Sequence, residues 1–430
     1  MMSKESETVR KPVFSQKCKQ QVPAFSRQES IYHIGMCVTD LCTRRDSDDI
    51  MRKRMALYKE LGLKTVRTTI AWSTMEPEEG QWQAPPEEWY LQHIADSGLR
   101  IKLILAAVSC IPRWYLEKYP EAVLINDAGE KAISSVTYLM PGLRPLLDNA
   151  VEHMLQYLAD SGFLSAIDSI VVDMGPAGEP LYPPAWTQNP NWLTTPSGPE
   201  HFWCYDPLMQ ADYRRTMEEK YGTIAAANAA WGTAYPSFEE LAVPKPNTVK
   251  GTMWNDLLTW YRDVKRDFVD ANAASHKRLI ERYTNGRVTP ILYIPGSDVR
   301  DEEWRRCVEE GDGTVMVKLM ADSRFIIDTA VKYGCYLQYT GAENVPEIIY
   351  LKRYMEDIGA GSIPLFGENA GGYDIGKNMD TYVDALIEHH LQGVDITHDQ
   401  WIHAPDHFSP NEHYALIKDS LARLAAYLLA

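Results

Sequence analysis

From Ile31 onward the chain alternates short apolar runs with longer stretches whose apolar residues recur every three or four positions. That is the pattern of buried strands alternating with amphipathic helices. The runs are Ile31–Val38, Thr65–Ile70, Ile101–Val108, the stretch opening at Ile167, Val288–Ile294, Gly334–Tyr339, Ile363–Phe366 and Val394–Ile396. Between the first two, Ile50, Met51, Met55, Tyr58 and Leu61 fall on one helical face. Further helices are expected around Leu146–Leu158, over Asp256–Arg282 and over Tyr414–Leu429. Eight strands with intervening helices predict an α/β chain folded as a (β/α)8 TIM barrel, with its active residues at the carboxyl ends of the strands.

Two stretches depart from this rhythm. Residues 1–29 carry many Lys, Ser, Gln and Glu and few large apolar residues, which predicts a flexible N-terminal arm ahead of a barrel over 30–430. Residues 180–260 interrupt the alternation after the fourth strand and hold half of the twelve tryptophans: Trp186, Trp192, Trp203, Trp231, Trp254 and Trp260. An aromatic-rich insertion of this kind either packs as its own core or offers flat faces to sugar rings.

Composition narrows the partners. A net charge of −16 on 430 residues repels nucleic acid and anionic membrane, so neither is expected, and a neutral or cationic ligand fits better. No apolar run approaches the roughly 20 residues that span a bilayer. The polar start MMSKESETVRKPVFSQKCKQQ has no hydrophobic centre like that of a secretory signal, which points to a cytoplasmic protein, or a secreted one whose leader has been removed. Seven dispersed cysteines suggest free thiols in a reducing compartment. No cysteine pair has zinc-site spacing, and GAGSIP and GDGT lack the context of a phosphate loop, so no metal or cofactor is expected.

The candidate chemistry lies in two segments. In IDSIVVDMGPAGE a β-branched run stops at Gly175-Pro176 and delivers Glu179; in SIPLFGENAGGYD another apolar run ends and Glu368 follows. Two carboxyl groups beyond the ends of strands four and seven suit glycosidic cleavage, where one protonates the leaving oxygen and the other attacks the anomeric carbon or activates water. Glu343 in TGAEN is a rival for the second role but lies farther past its strand. Asp173, within strand four, needs a buried partner and is expected first to be structural support and second a ligand contact. His398, His403 and Asp406 could form a metal set, but a loop at the barrel mouth more readily uses its histidines for sugar hydroxyls. Cys110 has no readable histidine partner and is expected to be a buried thiol.

VRTTIAWSTMEPEEGQW, IPRWYLEKYPE and YGTIAAANAAWGTAYPSFEEL resemble parts of family-42-type β-galactosidases, members of glycoside hydrolase clan A. The resemblance implies a retaining β-glycosidase with Glu179 as acid/base and Glu368 as nucleophile. It also implies that Arg67 orients the nucleophile and that Trp401 is a sugar platform. Tyr293 and Tyr339, ending strands five and six, either reach the substrate or cap the barrel. Two features depart from the family. Gly178 stands where the clan usually has Asn, and GPAGEPLYPP followed by HFWCYDPLMQADY is similar to β-amylases, which are inverting enzymes. An inverting glucan hydrolase and an inactive carbohydrate-binding barrel are therefore the alternatives. Family-42-type enzymes usually add further domains after the barrel, whereas this sequence ends with the last barrel helix, so no oligomeric state carries over.

Overall fold

A computed structural model describes residues 36–39, 46–188, 198–296 and 298–430; the arm expected over 1–29 and Trp192 lie outside the described residues. Eight parallel strands close into a barrel: β1 Met36–Thr39, β2 Thr65–Ala71, β3 Arg100–Ala106, β4 Ile167–Val171, β5 Pro290–Ile294, β6 Tyr336–Tyr339, β7 Leu365–Glu368 and β8 Val394–Ile396. Closure comes from β1 pairing with β8, Met36 opposite Val394 and Val38 opposite Ile396. Every expected strand is present, and β7 runs two residues further than expected, so Glu368 is its last residue.

The period of two along each strand sorts the side chains. One set, including Val66, Ile70, Leu103, Leu337 and Tyr339, faces outward into the main core shared with the helices. The other set fills the barrel with Ile104, Ala106, Val171, Ile291, Tyr293, Tyr336 and Phe366. Arg67, Lys102, Gln338, Glu368 and Asp395 belong by alternation to the inner set, and all are buried.

The helix Asp48–Glu60 buries Met51, Met55 and Tyr58, as the spacing predicts, and Ser47 caps it by accepting from Ile50 N at 3.3 Å. Tyr414–Leu429 has the expected bounds. The insertion has a core of its own. Helices Pro207–Tyr221 and Ile224–Trp231 pack against the first half of the 33-residue helix Thr252–Thr284, enclosing Trp203, Trp254, Trp260, Tyr213 and Tyr261. Buried Asp256 ties the three together, accepting from Lys220 Nζ (2.6 Å), the Tyr221 hydroxyl (2.6 Å) and Trp231 Nε1 (2.9 Å). Most of the insertion's described tryptophans therefore serve packing rather than a ligand.

An antiparallel pair, Val123–Ile125 with Lys131–Val136, was not expected and stands between β3 and β4. Among the described residues no helix is long and apolar enough to cross a membrane.

Candidate active site

Glu368 ends β7 on an inward position and is only 5% exposed. Three other strands supply donors to its carboxylate. Arg67 from β2 donates at 2.6 Å, Thr397 just past β8 donates through its hydroxyl at 2.6 Å, and Gln338 from β6 donates through its amide. Arg67 also donates to the Tyr293 hydroxyl at 2.6 Å and lies 3.3 Å from Asp395. Lys102, fully buried on β3, pairs with Asp395 at 3.0 Å and reaches the Gln338 amide oxygen. Two cations and two carboxylates thus share the barrel interior, the balance that buried charges require.

Glu179 arrives differently. After β4 the chain makes the turn Gly175–Gly178, and its backbone departs from ordinary conformations at Ala177 (φ 57°) and Gly178 (φ 85°). Gly178 takes a positive φ that strains most side chains, and a Cβ there would touch Val171, Tyr293 and Ile104 at 3.4–3.7 Å, so a larger side chain at this position would press on the barrel interior. Gly175 is tighter still, because a Cβ there would lie 2.7 Å from the Glu179 carbonyl oxygen and 2.9 Å from that of Leu181. Gly175→Ala is therefore expected to destabilise the protein by about 1–3 kcal/mol and to displace Glu179, measured as a lower denaturant midpoint together with a lower kcat.

The Glu179 carboxylate accepts from the Thr340 hydroxyl, just past β6. Burial pushes its pKa up from 4.5 to about 7; the Thr340 bond opposes this, the charge of Glu368 adds to it, and Arg67 opposes it. The two carboxylates therefore sense each other across the barrel mouth.

Asp173 supports this arrangement. One of its oxygens accepts from Val108 N (2.8 Å), Ser109 N (2.8 Å) and the Ser109 hydroxyl (3.0 Å), tying the loop after β3 to the residue before the Glu179 turn. Burial raises its pKa to about 6.

The remaining expected residues fall elsewhere. Tyr339 is a correction: alternation turns it outward into the main core, where its hydroxyl donates to Gly296 O at 2.9 Å, and its neighbour Gln338 takes the inward place. Trp401 packs half-buried against the main core and lines a surface cavity formed by residues within 400–413, which contains none of Glu179, Glu368, Arg67 or Tyr293. Glu343 accepts from Ala370 N at 3.1 Å and braces the loop after Glu368. His403 pairs with Asp399 at 2.8 Å and His407 with Asp46 at 3.1 Å. Among the described residues no three His, Cys, Asp or Glu side chains gather as metal ligands. Burial pushes the Cys110 thiol up to about 12, far from a nucleophile's range.

Lys102, Gln338, Thr340, Asp395 and Thr397 were not singled out in the sequence. A signal existed for two of them: Lys102 in RIKLILA and Asp395 in VDI are charged residues inside apolar runs, and each demands a partner.

The model of glycosyl hydrolase family 14 matches residues 38–289, more than half of the chain, a stretch that contains Arg67 and Glu179 and ends before Glu368. A thermophilic β-amylase of Thermoanaerobacterium thermosulfurigenes is 28% identical over 274 residues, covering 59% of this chain and 47% of that enzyme. A β-galactosidase of Thermus thermophilus is 26% identical over 211 residues, covering 47% of this chain and 29% of that enzyme. The chain thus spans about half or less of the length of these relatives. In fold it is similar to the catalytic domain of a Paenibacillus polymyxa β-amylase, with a TM-score of 0.72 at 18% identity, over 90% of this chain and 97% of that one. The expected likeness to β-galactosidases is thus present, but the family model that fits is the one the GPAGE segment pointed to. The chain belongs to glycosyl hydrolase family 14.

Proposed function

We propose that the protein hydrolyses a glycosidic bond with Glu179 as general acid and Glu368 as the ionised partner. The observation that carries this reading is the contrast between the two carboxyl groups. Burial pushes Glu179 to about 7, which keeps much of it protonated near neutrality, while Glu368 sits 2.6 Å from the Arg67 guanidinium.

In the inverting form of the reaction, Glu179 gives its proton to the glycosidic oxygen as the carbon–oxygen bond breaks. Glu368 takes a proton from a water that attacks the anomeric carbon on the opposite face. One water is consumed, and solvent then returns both carboxyl groups to their starting states. Arg67 and Thr397 fix the direction of the Glu368 lone pairs, and Arg67 also holds the Tyr293 hydroxyl. Membership of family 14 and the β-amylases among the relatives favour this form.

The retaining form, in which Glu368 attacks carbon directly, is favoured by the relatives named β-galactosidases. Retention needs carboxyl groups about 5–5.5 Å apart, and inversion about 6.5–9.5 Å. Proton NMR of the first-formed sugar separates the two. With maltooligosaccharides and aryl β-galactosides as the panel, inversion is expected to give the anomer opposite to the substrate's. A first product of unchanged configuration would transfer Glu368 to the nucleophile's role, and no cleavage of any glycoside would remove the hydrolytic reading.

A further inference from the structure

Beside the acid lies a cavity of about 270 Å³ that the catalytic cluster leaves unused: neither carboxylate, nor Arg67, nor Tyr293 lines it. Its walls are the inward residues Thr69, Ile104 and Ala106 of β2 and β3, the turn Gly175–Gly178, the strand residues Ser134–Val136, and Trp186. The cavity is thus bounded by the turn that delivers Glu179 and by none of the groups that hold Glu368. A general acid touches the leaving oxygen, and residues before and after Glu179, Gly178 and Leu181, line this cavity although the Glu179 carboxylate does not.

Its chemistry is unusual for a sugar subsite. Among the described residues no carboxylate, guanidinium, ammonium or amide side chain lines it. Three of its hydroxyls are turned to the protein: Ser109 donates to Asp173 at 3.0 Å, Thr187 donates to Pro184 O at 2.7 Å, and Tyr138 accepts from Lys265 at 2.6 Å. Tyr138 is also fixed as a flat wall. Its ring stacks on Phe268 with centroids 4.0 Å apart, and the fully buried Lys265 ammonium lies 4.6 Å from it. Only Thr69, Ser134 and Ser135 offer hydroxyls that make no side-chain bond to another described residue. A pyranose brings several hydroxyls, each needing partners, and most would be left unpaired here. An apolar ring has no such need. A cavity of roughly 150 Å³ is known to hold benzene, so this one has room for a single substituted ring.

We propose that this cavity is the leaving-group pocket and that the favoured substrates are glycosides of an aryl or alicyclic alcohol, with one uncharged apolar ring in place of a second sugar. The proposal rests on the reading of Glu179 as the acid.

Two measurements test it, with Ser135→Phe and the milder Ser135→Leu as cavity-filling variants whose folding is checked by thermal unfolding. The first is binding of benzyl alcohol by ligand-observed NMR, which needs no catalysis: wild type is expected to bind, and filling the cavity is expected to weaken binding at least tenfold. The second is the ratio of kcat/KM for a phenyl glycoside to that for the glycosyl fluoride of the same sugar, whose leaving group has no ring. That ratio is expected to fall at least tenfold in the variants. An unchanged ratio, no binding of benzyl alcohol, or its displacement by a free hexose would overturn the proposal. A wild type that binds benzyl alcohol but cleaves no glycoside would overturn the catalytic reading instead, leaving the ligand class of the cavity standing.

Discussion

Replacing Glu368 by Gln is expected to lower kcat by about 10²–10⁴-fold, the range for removing a positioned general base, with a much smaller change in KM. Gln keeps the shape and can still accept from Thr397, so the loss reports charge rather than packing. The same change leaves Arg67 and Lys102 facing Asp395 alone inside the barrel. Breaking a buried pair on one side costs up to about 3–5 kcal/mol, so the denaturant midpoint is expected to fall as well. Initial rates and a urea titration on the purified variant decide both points. A kcat within a factor of two of wild type would remove Glu368 from the chemistry.

Glu179→Gln is expected to act selectively. An acid matters most when the leaving oxygen is basic, so hydrolysis of alkyl glycosides is expected to fall by about 10²–10⁴-fold and that of glycosyl fluorides far less. The variant should also change how stability depends on pH. A carboxyl raised from 4.5 to about 7 holds its proton in the folded state after the unfolded chain has released it. Its contribution is therefore fully present below pH 4.5 and is lost as pH rises through about 7. Asp173, raised to about 6, acts with the same sign over a lower window and remains in the variant. Melting temperatures across pH 4–8 are expected to decline less steeply for Glu179→Gln than for wild type.

Much of this was legible in the sequence because it rests on periodicity. The strand at Ile167, the face of Met51, Met55 and Tyr58, and the C-terminal helix all follow from spacing and recur in the fold. Glu179 and Glu368 were legible because glycine-marked turns follow apolar runs. Tyr339 was misjudged because the end of a run does not reveal which face a side chain takes. A shift of one position exchanges the barrel interior for the helix layer, and the inward place belongs to Gln338. Trp401 follows its strand, and a residue there points where its loop sends it, here to the cavity within 400–413. The partners of Glu368 come from three other strands, and only the closed register brings Arg67, Gln338 and Thr397 to one carboxylate.

The most direct test of the two-carboxylate account is the pH dependence of kcat/KM for wild type beside Glu179→Gln, on an activated glycoside that both enzymes cleave. The wild-type profile is expected to fall on its alkaline side with an apparent pKa of about 7, and the variant is expected to lose that limb while keeping the acid limb. An alkaline limb unchanged in Glu179→Gln would contradict the account, because the group that must stay protonated would then not be Glu179.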